Sequence, residues 1–131
     1  MNQRILGKTG RAVSEIGLGT WQQGTRWGDP FNRDGAAFDK GETFSGVPYD
    51  LGLEAAEELK RVFGTDRLAP IAIRWVLMHP EVSVVIPGAS RAAQVLDNVQ
   101  AAGLPPLTEA QMRSVRQVYD RFLRDIIHPQ W

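Results

Sequence analysis

The sequence predicts an α/β fold of the parallel kind, on three observations. Between Pro70 and Ala102 a helix, a β-branched segment, a Pro-Gly turn and a second helix follow in order. The segment Val82-Ser83-Val84-Val85-Ile86 shows no sustained polar alternation, the pattern of a strand covered on both faces. Near the N-terminus, Ile16-Gly17-Leu18-Gly19-Thr20 reads as a second short strand whose glycines permit close backbone approach. One helix–strand–helix unit cannot cover its own strand, so neighbours are required on both sides.

The elements follow from local signals. Short, partly apolar runs at 4–6 and 12–14 flank the turn-rich Gly7-Lys8-Thr9-Gly10 and predict a β-hairpin. From Gln22 to Pro48 no periodicity is sustained, and a loop of that length is uncommon within a compact domain. Asp50 is placed as an N-cap for a helix in which Ala55, Leu59, Val62 and Phe63 recur until Gly64 closes it. A second helix has Pro70 in its first turn, is apolar nearly all round from Ile71 to Met78, and is expected to be largely buried, with Arg74 its only charge. Pro80 ends it. The third helix, 91–102, takes Val95, Leu96 and Val99 as its apolar face and stops at Gly103 and Pro105-Pro106. Thr108 and Gln111 form a capping-box pattern for the last helix, whose stripe is Met112, Val115, Tyr119, Phe122 and Ile126.

Composition narrows the function classes. The chain has 131 residues and is 43% hydrophobic, enough for one hydrophobic core, and its 15 Lys+Arg balance 15 Asp+Glu. No long-range attraction to nucleic acid or to an anionic membrane follows from that balance. With no cysteine and two histidines there is neither a disulfide framework nor a thiolate or histidine metal site. Met1-Asn2-Gln3-Arg4 and the glycine-rich run after it lack a signal peptide's apolar stretch, so a cytoplasmic location is expected.

The chemistry concentrates at Ile86-Pro87-Gly88-Ala89-Ser90-Arg91, between a strand end and a helix start. Free backbone N–H groups and the helix dipole favour an anion at such a position. Arg91 adds a cation able to grip phosphate oxygens, Ser90 a hydroxyl, and Gln94 and Asn98 return on one helix face at i, i+4. The plainer alternative is an ordinary strand-to-helix turn, with Ser90 capping, Arg91 solvated and Asn98 a surface amide.

Read together, this turn through Gln94 and Asp97-Asn98 resembles the segment that ends the last barrel strand of aldo-keto reductases. Pro70 through Leu77 resembles that family's next-to-last barrel helix, and Phe31 through Phe63 its loop and helix after the seventh strand. Leu6 through Gly10 and Ile16 through Trp21 resemble its opening hairpin and first strand. The resemblance implies an incomplete TIM (β/α)8 barrel: an N-terminal hairpin and first strand over 1–30, a loop over 31–48, and a C-terminal barrel portion with a cofactor-phosphate site over 49–131, together one partial domain. It also implies NADP(H) as cofactor, with Gly19, Thr20 and Trp21 near the nicotinamide and Gly88, Ser90, Arg91, Gln94, Asp97 and Asn98 near the 2′-phosphate and adenine. Trp21 otherwise simply covers an apolar edge.

The family's chemistry is reduction of an aldehyde or ketone to an alcohol, using an Asp, a Tyr, a Lys and a His. The block that carries the Asp and Tyr should follow Trp21 but is absent, because Gly28-Asp29-Pro30 runs straight into sequence typical of the family's last third. About half of a barrel of roughly 250 residues is thus missing. Tyr49 and Tyr119 are better explained by packing than by proton donation, and His79, at a helix end where a cation favours the dipole, and His128, in the tail, have no partner evident in sequence. The expected catalytic set is therefore empty and turnover low or nil; the alternative function is a non-catalytic nucleotide-binding or self-associating remnant. First and last strands are neighbours in a closed barrel, so Ile16–Gly19 and Val82–Ile86 are expected to pair in parallel, leaving outer edges that favour self-association.

Overall fold

The computed structural model describes residues 1–19, 46–89 and 91–130. The chain divides into two compact units, Met1–Trp21 with Arg67–Thr108 and Gln22–Asp66 with Glu109–Trp131.

The first unit opens with the expected hairpin. Strand β1 (Gln3–Ile5) pairs antiparallel with β2 (Ala12–Ser14), in the register Gln3↔Ser14, Arg4↔Val13, Ile5↔Ala12. Gly7 and Gly10 hold φ of 50° and 71°, the left-handed region that side chains disfavour. Thr9 ties the turn by donating from both its N–H and its hydroxyl to Leu6 O. Beyond β2, Ile16 forms a parallel bridge with Val85. Gly17 N–H donates to Val85 O and Val85 N–H to Glu15 O, each at 2.9 Å.

The expected parallel pairing of the two segments is therefore present, reduced to one bridge. Val82–Ile86 does not form the buried strand its composition suggested: Val85 alone takes a bridging position, and Ile86 is 58% exposed. A strand gains a ladder only from neighbours, and among the described residues the Ile16 segment is its one strand partner. Gly17 and Gly19 do permit the close approach read from sequence. A Cβ on Gly17 would stand 3.1 Å from both Ile86 Cγ1 and Val84 Cγ2, and one on Gly19 would stand 3.0 Å from Ile86 Cγ2.

Helices α2 (Leu68–Leu77) and α3 (Ala92–Ala101) pack together over this bridge. Ile16, Ile73, Leu77, Ala101 and Ala102 form the core, with Val85 and Val99 against it. Two expectations change here. Only Ile73 and Leu77 of α2 are buried, so the helix is half covered rather than enclosed. On α3 the buried residues are Asn98 and Ala101, while Val95 and Leu96 stand 40% and 63% exposed. Small Ala101 and Ala102 permit close packing against α2, which turns the larger apolar pair outward.

Arg4 fastens the hairpin to the end of α2. Its Nε donates to Glu15 Oε1 at 2.7 Å, and Nη1 donates to Val82 O at 2.8 Å and His79 O at 3.3 Å. Nη2 donates to Leu77 O. The last carbonyls of a helix lack intrahelical donors and carry the negative end of its dipole. Sequence placed His79 in that position; the cation there is Arg4, carried in from β1. His79 instead meets Trp75 edge-on, with ring centroids 4.8 Å apart.

In the second unit α1 (Tyr49–Phe63) packs on α4 (Glu109–Phe122), and among its described residues Ala55 and Val118 are the buried apolar ones. Helix α1 starts one residue before the expected cap: Pro48 takes the cap position and Asp50 lies in the first turn, still at the favoured pole of the dipole. Gly64 closes it at φ 63° with its N–H directed to Lys60 and Arg61 carbonyls, the left-handed stop expected of glycine. Helix α4 begins directly after Thr108, as the capping pattern predicts. It ends at Phe122, and Leu123 at φ −121° breaks it before the short α5 (Arg124–Ile127) and the 3-10 turn His128–Gln130. Ile126 therefore lies on α5, not on the α4 stripe.

Arg4→Ala would strand the Glu15 carboxylate, whose side chain is 7% exposed, and release the Leu77, His79 and Val82 carbonyls together. The expected loss is about 3 kcal/mol, as for a broken buried pair. Chemical denaturation checks this, with faster amide exchange across α2 and 12–17 than across α1 and α4.

Candidate functional site

The site expected from sequence is the turn between the Val85 bridge and α3. The residues on its rim, Gly88, Ala89 and Arg91, are all exposed. A Cβ at Gly88 would meet nothing within 4 Å, so the turn opens onto free space there. Thr20, Trp21 and Ser90 lie outside the described residues. Gly19, by contrast, packs beside Ile86 at the strand end, which sets the first strand's exit next to the start of the turn.

Two side chains of α3 hold the turn. Gln94 Oε1 accepts from Arg91 N–H at 3.1 Å, while Gln94 N–H donates to Arg91 O at 3.0 Å. Arginine has no acceptor with which to cap a helix, so Gln94, three residues on, does so from inside. Asn98 Nδ2 donates to Gly88 O at 3.3 Å, and Asn98 is 9% exposed. The amide that the plainer of the two sequence readings left on the surface is buried, tying the seventh residue of α3 back to the glycine. Arg91 itself is exposed, at the helix start with extended φ −142° and ψ 147°.

Asp97 is also engaged. Arg67, in the cap position of α2, pairs with it at 2.8 Å across the α2–α3 interface, the two side chains 68% and 42% exposed. The structure thus brings Gly88, Arg91, Gln94, Asp97 and Asn98 onto one short segment, with Gly19 at its strand side. Sequence reasoning passed over Arg67, which precedes a helix start and carries no motif; only the packing of α2 on α3 brings it here. Arg4 and Glu15 were equally unmarked: they pair with each other across the hairpin, eleven residues apart, and Arg4's carbonyl partners lie more than seventy residues along the chain.

Chemically, the segment offers the positive end of a helix dipole, an adjacent exposed guanidinium and open space at the glycine. Those features suit an anionic group such as a phosphate. A surface hollow of about 430 Å³ lies elsewhere in this unit, at the α2 end, walled by Arg4, Ile5, Met78, Val82 and Ser83; Arg4 is the one charge in it. Among the described residues no group of His, Asp or Glu is arranged to hold a metal ion, and no helix is long and apolar enough to cross a membrane.

In the other unit Tyr119 OH lies 3.2 Å from His128 Nδ1, so His128 has a partner that the sequence did not reveal. Lys60, hydrogen-bonded to Glu57 at 2.6 Å, is raised above its ordinary pKa chiefly by that bond, with desolvation opposing it and the Glu57 and Asp66 charges adding to it.

A helix, a strand end, a turn and a second helix in succession are a building unit of α/β proteins. The family is narrower: the model of the Aldo/keto reductase family matches residues 31–120, and the chain belongs to that family of oxidoreductases. The match begins at Phe31, directly after the Pro30 junction read from the sequence, and it spans α1, α2, the turn, α3 and most of α4. A length of 131 residues is consistent with truncation of a barrel of about 250. No curated protein and no solved structure matches the chain.

Gln94→Ala and Asn98→Ala should each loosen the turn by about 1 kcal/mol, the usual worth of a cap or a single hydrogen bond. Amide exchange at Gly88–Arg91 should quicken in both, while the hairpin amides stay unchanged.

Proposed function

We propose that this chain is an incomplete aldo-keto reductase barrel that retains the NADP(H)-phosphate end of the cofactor site and has lost its carbonyl-reducing chemistry. The observation that carries the reading is the turn at 86–91: Gln94 and Asn98 fold back to hold it, Arg91 stands exposed beside it, and space is open at Gly88. The residues present fit the phosphate end. Arg91 and the first-turn N–H groups would take the 2′-phosphate, and Asp97 and Asn98 would border the adenine. Gly19, Thr20 and Trp21 would stand on the nicotinamide side. When bound, the cofactor supplies a hydride for a carbonyl carbon, and the family's tyrosine supplies the proton. The sequence from Trp21 onward lacks the block expected to hold that Asp and Tyr, so the proposed catalytic set is empty. Reduction of an aldehyde or ketone is then the activity of the family, and binding without turnover the property of this chain.

Self-association is the second part of the proposal, and exposed apolar side chains support it. Leu18 is 72% exposed, Leu96 63% and Ile86 58%, and among the described residues the bridged segments have no further strand partner. Sedimentation of the purified chain should give species heavier than the 14.6 kDa monomer; a rigid, well-dispersed monomer would remove this part.

The deciding experiment is a titration with NADPH followed by tryptophan fluorescence and thermal shift. Saturable binding, weakened at least tenfold by Arg91→Ala and without carbonyl-dependent NADPH oxidation, is the expected result. No binding would leave the family relation as ancestry alone.

A further inference from the structure

Arg67 lies outside the turn, yet its guanidinium reaches the helix that starts there. Asp97 is the only carboxylate on α3, whose sequence is Ala-Ala-Gln-Val-Leu-Asp-Asn-Val-Gln-Ala. At about 1.5 Å per residue it lies roughly 9 Å along the axis from Arg91, one turn below Gln94 on a neighbouring face. That distance is close to the screening length of about 8 Å at physiological ionic strength. Left to itself, a carboxylate at this place opposes any dianion at the helix start. Arg67 answers it at 2.8 Å.

An exposed ion pair of this kind contributes little to folding. Both side chains keep substantial solvent contact, at 68% and 42%. What the pair changes is the field along α3: with Arg67 present the helix start feels Arg91 and the dipole, without it also a net negative charge. We propose that Arg67 is a specificity-determining positioning residue. By neutralising Asp97 it lets the turn favour a nicotinamide dinucleotide bearing a 2′-phosphate over one that lacks it. This inference rests on the cofactor reading above.

The sign of the effect differs between the two dinucleotides. Only NADPH carries a dianionic group at the helix start, so unmasking Asp97 selectively weakens NADPH. For two negative charges about 9 Å away in a medium close to water, the expected change is roughly threefold at low salt, fading as salt rises. A residue with a merely structural role would weaken NADPH and NADH together and lower the melting temperature. Losing an adenine contact at Asp97 would likewise fall on both dinucleotides.

The test measures Kd for NADPH and NADH at low and high salt in the unmodified chain, Arg67→Ala, Asp97→Asn and the double variant, with melting temperatures alongside. Arg67→Ala should lower the NADPH-over-NADH preference about threefold at low salt, Asp97→Asn should raise it, and the double variant should return near the starting ratio. Unchanged ratios, or equal losses for both dinucleotides, overturn the role of Arg67 while leaving the cofactor reading intact. No NADPH binding by the unmodified chain overturns both.

Discussion

The first unit depends on a single guanidinium. Arg4 leaves a three-residue strand too short to fold by itself and commits its guanidinium nitrogens to a buried carboxylate, the last carbonyl of α2 at Leu77, and the carbonyls of His79 and Val82 just beyond it. Burial of Glu15 is tolerable only because that cation is beside it. The Ile16–Val85 bridge follows from the same fastening. With 3–5 and 77–82 held together, the residues just beyond each are delivered side by side, and two hydrogen bonds suffice to pair them.

What positions the turn is therefore remote from it. Val85 enters 86–91 from a bridge fixed by the hairpin, and α3 leaves it packed on α2 through Ala101 and Ala102. Within the turn, Gln94 and Asn98 add the local closure. Their two amides serve as a brace whatever else touches them, so the polar face of α3 has a folding role as well as the binding role its spacing suggests. The buried Asn98 shows why: its amide finds its partner in Gly88 O, at the turn it closes.

Much of this was legible in the sequence, and the misses have one cause. Elements set by local chemistry were readable: the hairpin from Gly7 to Gly10, the stop at Gly64, the start of α4 after Thr108, the turn at Pro87-Gly88. Properties set by distant partners were not. Val82–Ile86 reads as a buried strand because its composition suits one, but burial needs neighbours that composition does not supply. Val95 and Leu96 read as a core face for the same reason. Arg4, Glu15 and Arg67 carry no spacing signal at all, since each is paired with a residue from another element. Of the nine candidate cofactor residues, Gly88, Arg91, Gln94, Asp97 and Asn98 share one segment and Gly19 lies at the strand beside it. The family resemblance in the C-terminal two thirds had a local basis in contiguous motifs, and the family match falls on that same stretch.

The interleaving of the two units bears on how such a chain is made. The first unit draws on both ends of a span that includes much of the second, and the second waits for its last helix from residue 109 onward. During synthesis, Ile16 must remain unpaired until Val85 emerges about 70 residues later, a closure whose entropic cost grows only slowly with length but whose delay does not shrink. Neither unit can be expressed as one uninterrupted stretch of its own chain. A designer wishing to separate them would have to permute the polypeptide, joining the hairpin to 67–108 by a new linker, before either half becomes an independent gene product.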